Sequence, residues 1–453
     1  MSSKIKNKYS IWAFWWIKFI HDVLYYRKTY VRKTSNIQLS AESPCVIVSN
    51  HQNSLNDAMA IIMSMKRHKI WFLARADIFN NKIFQRLLNI LGVLPVYRQR
   101  DGFANLKNNF QTFDIAENYL LNGCFICLFP EAKHQDRHYL GTFFLSYTRM
   151  AFNAAAATNF SKEVFILPCA NHYTDYFNIQ SDILINYGEP ISLKPYYELY
   201  RNNPRLAQEQ VNEIVHQKVD ELMLNIQDKE NYNAIYHLLN NVGNDYAISQ
   251  HVKTDNLPQK LKIDKKIVHQ LENVKHTQPD LFDNICQTSE HYTALLNQYQ
   301  LTDQCVAKPY STLKMIGTLM GLLATIGIFI VGFIHHVIPY FIPKIASRKI
   351  KDPLLRPSFD LALHAIATIP VFYLLYIITV SIIFHNWGIT LIYMLLLPFC
   401  GIFAWWWLQN LKTFVKMTKS RHFKWFKPTI WGKLQSTRLA LKKLLYQVMG
   451  STF

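Results

Sequence analysis

A histidine and a carboxylate that could move a proton lie close together early in the chain, at His51 and Asp57. Imidazole is the side chain best matched to proton transfer near neutral pH, and a neighbouring carboxylate fixes its tautomer and stabilises the imidazolium. We therefore predict that His51 is a general base and that Asp57 orients it. A structural alternative stays open, because Asn53, Ser54 and Asp57 are also common helix-capping residues.

The residues around this pair predict a turn between a strand and a helix. Residues 44–49 form an apolar run typical of a buried strand, and residues 58–63 form the start of an apolar helix. In open α/β sheets, sites are usually built where strands end at their carboxyl termini. The predicted turn is therefore a favourable place for chemistry.

Three further short motifs follow in order along the chain. They are Gly92–Arg98 (GVLPVYR), Leu128–Glu131 (LFPE) and Phe165–Pro168 (FILP). Together with Asn50–His51 they resemble the four sequence blocks of the PlsC-like glycerolipid acyltransferases, whose first block is His-x4-Asp and whose third is Phe-Pro-Glu-Gly. The resemblance covers roughly residues 40–195.

This resemblance implies a reaction and a set of site residues. His51 would deprotonate an acceptor hydroxyl, Asp57 would align His51, and the hydroxyl would attack a carrier thioester without an acyl-enzyme. The implied substrate-binding residues are Arg98, Glu131, Lys133 and Pro168. A guanidinium suits bidentate phosphate recognition, so Arg98 is expected to hold the acceptor phosphate. Glu131 would bind acceptor hydroxyls or brace the arginine, and Pro168 would shape the pocket wall.

The sequence departs from the family pattern in two places. The first spacing is His-x5-Asp, which puts Asn56 in the usual carboxylate position; we favour Asp57, because only a carboxylate offers charge to an imidazolium. The glycine that follows Pro-Glu in the family is Ala132 here. Alanine has less backbone freedom than glycine, which leaves Lys133 and Arg137 as alternative sources of positive charge at that turn.

Three other interpretations of these residues remain open. Glu131, His134 and His138 have a metal-site spacing if they are helical, but the resemblance explains Glu131 without a metal. We therefore expect no metal and no cofactor, with acyl-CoA or acyl-carrier protein as co-substrate. A catalytically silent membrane scaffold is the main alternative. A hydrolase that uses Ser54 is less favoured, because no Gly-x-Ser-x-Gly turn surrounds it.

Positive charge is concentrated beside apolar segments. The net charge is +19, and residues 1–33 carry eight Lys or Arg against one Asp. Residues 344–356 carry five basic residues and one acidic residue, and residues 411–453 carry ten basic residues and no acidic one. Basic runs that flank hydrophobic segments favour anionic lipid headgroups over nucleic acid. We therefore expect membrane lipids as partners, and no nucleic acid.

The chain is expected to contain five regions. They are an interfacial amphipathic helix with a basic flank (1–35), an α/β acyltransferase domain with a mainly parallel or mixed sheet (36–195), a helical region (196–310), a transmembrane region (311–410) and a basic amphipathic tail (411–453). Within the transmembrane region, residues 362–384 and 388–408 have the length of a span. Residues 315–342 are longer and contain Gly and Pro, which predicts a re-entrant or double segment.

These regions together predict an integral membrane enzyme of phospholipid synthesis. The resemblance to larger glycerol-3-phosphate acyltransferases makes glycerol 3-phosphate the first-choice acceptor and lysophosphatidate the second. The catalytic domain is expected on the cytoplasmic face, which is that of the inner membrane if the protein is bacterial.

Overall fold

The computed structural model describes residues 9–33, 43–65, 69–76, 88, 91–96, 103–133, 135–308 and 310–450. The chain divides into two compact units. The first unit holds residues 1–225 and 347–362, and the second holds residues 226–346 and 363–453.

A mixed sheet forms the centre of the first unit. In the described residues its strands are β1 (Tyr26–Lys33), β2 (Cys45–Ser49), β3 (Ile70–Arg75), β4 (Val93–Val96), β5 (Phe125–Leu128), β6 (Phe165–Tyr173), β7 (Ser181–Tyr187) and β8 (Ile191–Ser192). Their order is β1-β7-β6-β2-β5-β3-β4, and β8 also pairs with β6. β6 runs antiparallel to β7 and β8, and the other neighbouring pairs are parallel. The predicted mainly parallel or mixed sheet is confirmed.

Helices cover this sheet. Those of the first unit that precede residue 225 are α1 (Ile11–Phe19), α2 (Leu55–Ser64), α3 (Phe103–Leu121), α4 (Ser146–Ala157), α5 (Tyr197–Asn202) and α6 (Pro204–Leu222). All five residues of β2 are buried, as expected for a parallel strand that is covered on both faces. β2 therefore lies in the core, and the turn after it is held by buried structure.

The expected boundaries of the α/β domain are too narrow at both ends. Residues 26–33 were expected to be a basic flank, but they form β1, which pairs in parallel with β7 at the edge of the sheet. At the other end, the unit continues past residue 195 to residue 225. The reason is that Val211, Val215 and Val219 of α6 are fully buried in the same core as the sheet.

The second unit is helical in its described residues. Its helices are α7 (Tyr232–Asn240), α8 (Val242–Ser249), α9 (Leu257–Thr277), α10 (Pro279–Gln298), α11 (Asp303–Ala307), α12 (Thr312–Ala324), α13 (Ile326–Ser347), α15 (Ile369–Phe384), α16 (Trp387–Phe426) and α17 (Pro428–Val448). The intervening helix α14 (Arg356–Leu363) lies almost wholly in the first unit.

Three helical segments among the described residues are long and apolar enough to cross a membrane. They are Ile326–Ser347, Pro353–Phe384 and Trp387–Phe426. The region at 315–342, which was expected to be a re-entrant or double segment, consists of α12 and α13, which meet at Thr325. α13 packs closely on α16, because a Cβ atom at Gly332 would collide with the carbonyl oxygen of Cys400. Small residues at such crossings are typical of membrane helices.

The basic tail is more deeply integrated than the sequence predicts. Residues 411–426 continue α16, and α17 buries Leu434, Leu441 and Leu445 in the second unit. The guanidinium of Arg438 pairs with the carboxylates of both Asp303 and Asp245. α17 is amphipathic as expected, but its apolar face packs on protein.

Candidate active site

The strand register brings three of the four sequence blocks to one edge of the sheet. β2 lies between β5 and β6, with Val48 opposite Leu128 on one side and Pro168 on the other. The residues that follow these positions therefore emerge side by side at the carboxyl ends of parallel strands. His51 follows β2, and Glu131 follows β5.

His51 and Asp57 are in direct contact. The Nδ1 atom of His51 lies 2.9 Å from the Oδ2 atom of Asp57. A carboxylate only accepts hydrogen bonds, so Nδ1 carries the proton and Nε2 is the basic nitrogen. The side chain of Asp57 is fully buried, whereas that of His51 is 19% exposed. The imidazole is therefore the member of the pair that a substrate can reach.

Four further donors hold the carboxylate of Asp57. The backbone N–H groups of Gln52 and Asn53 donate to Oδ2 at 2.9 and 2.8 Å. On the other oxygen, the hydroxyl of Tyr173 donates at 2.7 Å and the amide of Asn171 at 3.4 Å. A buried charge is tolerated when it is hydrogen-bonded in this way. The geometry of Asp57, and with it that of the imidazole, is thus strongly constrained.

The extra residue in the His-x5-Asp spacing is taken up by the turn itself. Ser54 has φ 50° and ψ −127°, a conformation that L-residues rarely adopt. The side-chain amide of Asn56 instead donates to the Oδ1 atom of Asn53 at 3.4 Å. The partner of His51 is therefore Asp57 and not Asn56.

Glu131 braces two main-chain turns. One carboxylate oxygen accepts the backbone N–H of His51 at 2.8 Å, and the other accepts that of Gly141 at 2.9 Å. Burial raises the pKa of Glu131, and these two donors partly oppose the rise. Because the side chain is buried and both of its oxygens are engaged, this geometry supports a positioning role for Glu131, and its contact with acceptor hydroxyls or with Arg98 stays a prediction.

The other expected substrate-binding residues lie in different settings. Lys133 is exposed on the turn after Glu131. Pro168 is buried within β6, at the point where the outer partner of that strand changes from β8 to β7. A proline is tolerated at such a break in the ladder. Arg98 lies outside the described residues.

A second polar cluster supports the turn from the side. The hydroxyl of Tyr176 donates to the amide oxygen of Gln52 at 3.0 Å and lies 3.3 Å from Nδ1 of His138. His138 packs against the ring of His172 with centroids 4.8 Å apart. Burial lowers the pKa of His138 to about 4, so this imidazole is neutral near pH 7.

Sequence reasoning did not identify the residues of β6 that complete the site. Asn50 and Asn171 exchange hydrogen bonds, with the side chain of Asn50 accepting the N–H of Asn171 at 2.8 Å and donating to its carbonyl at 3.0 Å. Tyr173, two residues further on, holds Asp57. The available signal was the polar run Asn171-His172-Tyr173 at the end of an apolar strand.

The ring of His51 also has an apolar support. It stacks on Phe129, with centroids 4.4 Å apart and planes inclined by 17°. The stack and the Asp57 hydrogen bond together fix both the plane and the rotation of the imidazole. A preorganised base of this kind suits the abstraction of a proton from a bound hydroxyl.

Comparison with known proteins gives three findings. Residues 26–172 match the family model described as Acyltransferase. A stretch of 105 residues is 33% identical to glycerol-3-phosphate O-acyltransferase 2 of Saccharomyces cerevisiae, and it covers 23% of this chain but only 14% of that protein. Among solved structures, the 1-acyl-sn-glycerophosphate (LPA) acyltransferase PlsC of Thermotoga maritima is 17% identical, with 43% of this chain and 72% of that chain covered and a TM-score of 0.29.

Proposed function

We propose that the protein is a membrane-bound acyltransferase of glycerolipid synthesis, because residues 26–172 match the Acyltransferase family model. It would transfer a fatty acyl group from a carrier thioester to a hydroxyl of a glycerol phosphate. Our first-choice acceptor is glycerol 3-phosphate, and lysophosphatidate is the second. The contact of 2.9 Å between His51 and Asp57, at the carboxyl end of β2, is the observation that carries the proposal.

The chemistry follows from which nitrogen of His51 is basic. Nε2 takes the proton of the acceptor hydroxyl as its oxygen attacks the thioester carbonyl carbon, and a C–O bond forms. When the tetrahedral intermediate collapses, the C–S bond breaks and the thiolate leaves with the proton that His51 returns. Asp57 stabilises the imidazolium that exists between these two transfers. No covalent acyl-enzyme is needed.

We expect basic residues near this edge of the sheet to bind the acceptor phosphate. Lys133 and Arg137 are both exposed on the loop that follows β5, and Arg98 is our sequence-based candidate for the direct ligand. A fixed cation beside the acceptor raises the local concentration of the substrate and orients its hydroxyl. Acceptors without a phosphate should therefore be poor substrates.

We further propose that the catalytic unit lies against the cytoplasmic face of a membrane. The indole rings of Trp12, Trp15 and Trp16 on α1 are 84%, 57% and 37% exposed. Tryptophan is favoured at the boundary between headgroups and acyl chains. The basic residues of β1 lie close by in sequence and would add attraction to anionic lipids.

The proposal is tested with membranes that contain the protein, labelled acyl-CoA or acyl-carrier protein, and a panel of acceptors. We expect transfer to glycerol 3-phosphate, weaker transfer to lysophosphatidate and none to glycerol. His51→Ala should lower turnover by about 10²–10⁴-fold, the usual range for loss of a general base. His276→Ala, an exposed histidine of the second unit, is the matched control and should keep full activity.

Two results would overturn this assignment. One is near wild-type turnover by His51→Ala, which would remove the mechanism. The other is the absence of acyl transfer to any phosphate-bearing glycerol by the wild-type protein with either donor, which would favour a non-catalytic membrane scaffold.

A further inference from the structure

The segment at residues 347–362 belongs to the catalytic unit, although in sequence it lies between the apolar helices α13 and α15. It follows α13 and contains α14, whose Pro357, Ser358, Asp360 and Leu361 are buried. A buried hydrogen bond anchors it, because the hydroxyl of Tyr25 donates to the carbonyl of Pro357 at 2.9 Å. The chain between α13 and α15, which includes the first residues of the candidate span Pro353–Phe384, is therefore packed into the unit that carries His51.

Ser358 makes the most specific contact of this segment. Its hydroxyl accepts the backbone N–H of Asn56 at 3.1 Å and donates to the carbonyl of Asn53 at 3.1 Å. The side chain is 3% exposed. Ser358 thus links the backbone of Asn53 to that of Asn56, within the turn between His51 and Asp57.

The backbone N–H of Asn56 also donates directly to the carbonyl of Asn53 at 3.0 Å, so Ser358 adds to a hydrogen bond that already closes this turn. Ser54, which stands inside this link, has a positive φ, and such a conformation costs on the order of 1–3 kcal/mol unless the surroundings impose it. The link also controls the carboxylate, because the N–H of Asn53 is one of the donors to Asp57. If the turn relaxes, the Asp57 carboxylate and the imidazole that it orients move with it.

We propose that Ser358 is a positioning residue for the His51–Asp57 pair, supplied by the segment that joins two membrane helices. The inference rests on the proposed acyl transfer for its catalytic consequence, and on the hydrogen bonds alone for its structural one. It gives the membrane region a role beyond anchoring, because the chain between two of its helices completes the active-site turn.

Ser358→Ala in the full-length protein, reconstituted in lipid nanodiscs, tests the proposal. The matched control is Ser64→Ala, a serine at the far end of α2 whose hydroxyl bonds to the carbonyl of Ile61 and the hydroxyl of Tyr187. The first readout is hydrogen–deuterium exchange of the peptide that spans residues 50–58. We expect faster exchange, centred on the amide of Asn56, in Ser358→Ala and no change in Ser64→Ala.

The second readout is steady-state kinetics. Ser358→Ala should lower kcat by about tenfold, as expected when a hydrogen bond that sets catalytic geometry is lost, while KM for donor and acceptor stays within about twofold. Ser358→Thr keeps the hydroxyl and should recover most of the exchange protection and of kcat.

Unchanged exchange of residues 50–58 in Ser358→Ala, or an equal loss of kcat in Ser64→Ala, would overturn the inference. Failure of the proposed function looks different. In that case the wild-type protein transfers no acyl group, while exchange at Asn56 still distinguishes Ser358→Ala from Ser64→Ala.

Discussion

At the scale of single residues, one carboxylate oxygen organises the candidate site. Oδ2 of Asp57 accepts from the imidazole of His51 and from two successive backbone N–H groups. The same atom therefore orients the base and closes the turn on which the base stands. Changes at Asp57 should affect activity and local structure together, whereas changes at its neighbour Asn56 should not.

We predict that Asp57→Asn loses activity by about 10²–10⁴-fold, the range for loss of an oriented general base. The amide offers no charge to the imidazolium and can place an N–H group where three donors require an acceptor. Asn56→Ala should lower turnover less than about tenfold, because the side-chain amide of Asn56 bonds to Asn53 whereas Asp57 bonds to His51. Turnover of both variants with a saturating donor is the measurement. An inactive Asn56→Ala beside an active Asp57→Asn would reduce Asp57 to a helix cap.

Ala132 occupies a backbone conformation that suits glycine. Its φ is 54°, in the left-handed region that costs an L-residue on the order of 1–2 kcal/mol. This is the position at which the PlsC-like family pattern has glycine. Ala132 therefore adopts the turn conformation that glycine would adopt after Glu131, but its backbone is strained.

We predict that Ala132→Gly stabilises the protein by up to about 1 kcal/mol, because relief of the strain outweighs the greater entropy of glycine when unfolded. The Tm of the protein in detergent should rise and acyl transfer should be retained. Asn153→Gly, within the regular helix α4, is a control that should lower the Tm. A lower Tm for Ala132→Gly would show that the left-handed conformation is not strained.

At the scale of elements, the site consists of turns that neighbouring loops support. The loop after β5 supplies Glu131 and His138, and the hairpin after β6 supplies Tyr176. The hydroxyl of Tyr176 links the hairpin to Gln52 beside the catalytic turn. Because His138 is buried within this contact, its protonation should loosen the loop.

We predict that neutral His138 contributes to the free energy of unfolding and that acid removes this contribution. Its folded pKa of about 4 lies below the usual value near 6.5, so the unfolded chain binds the proton first as the pH falls. The stability that neutral His138 contributes is therefore present above about pH 6.5 and is lost progressively down to about pH 4. Between pH 7 and pH 5 the loss should be about 2 kcal/mol.

Denaturant unfolding of the wild type and of His138→Gln at both pH values measures this component. The variant should start less stable, because it loses the packing against His172, but it should lose about 2 kcal/mol less than the wild type on acidification. His251→Gln, an exposed histidine, should follow the wild type. Equal acid losses in His138→Gln and the wild type would assign the effect to other groups.

At the scale of the whole molecule, the placement of residues 347–362 constrains the membrane topology. These residues belong to the unit that carries His51, and we propose that α13 ends, and α15 begins, on the side of a membrane where the reaction occurs. α15 and α16 are joined by His385 and Asn386 alone, which makes them a hairpin. We propose that α16 returns its basic end to the same side of the membrane.

α12 fits a re-entrant segment better than a full span. Its 13 residues extend about 20 Å, short of the roughly 30 Å of the hydrocarbon core. It packs beside α16, since the indole N–H of Trp407 donates to the carbonyl of Leu322 at 3.1 Å. If α12 enters the membrane from the side of the catalytic unit and α13 runs back to that side, residues 344–356 and 411–453 lie on the same side. The positive-inside rule requires this placement of the two basic segments.

Cysteine labelling in intact cells tests this topology. Lys349, His385 and Lys424 are exposed, and six of the seven native cysteines are buried while Cys400 is half-buried, so the background should be low. We predict that a membrane-impermeant maleimide labels His385→Cys from outside, but labels Lys349→Cys and Lys424→Cys only after permeabilisation. External labelling of Lys349→Cys would refute the model.

The sequence alone determined the features that depend on local pattern. The apolar run before His51, the helix after it and the apolar segments near the C-terminus are each visible within about twenty residues, because burial and backbone preference act over that length. The charge argument for Asp57 over Asn56 also used only neighbouring residues. The structure pairs Asp57 with His51 and shows how Ser54 takes up the additional residue.

Only the tertiary structure decided which distant residues meet. Local pattern records whether a strand is buried, but not which strand lies beside it, so Tyr173 and Ser358 could not be connected to a turn about 120 and 300 residues away. The edge strand β1 was missed for a related reason. Most of its side chains are exposed, so it lacks the apolar signal of a buried strand, and its pairing with β7 is what makes it a strand.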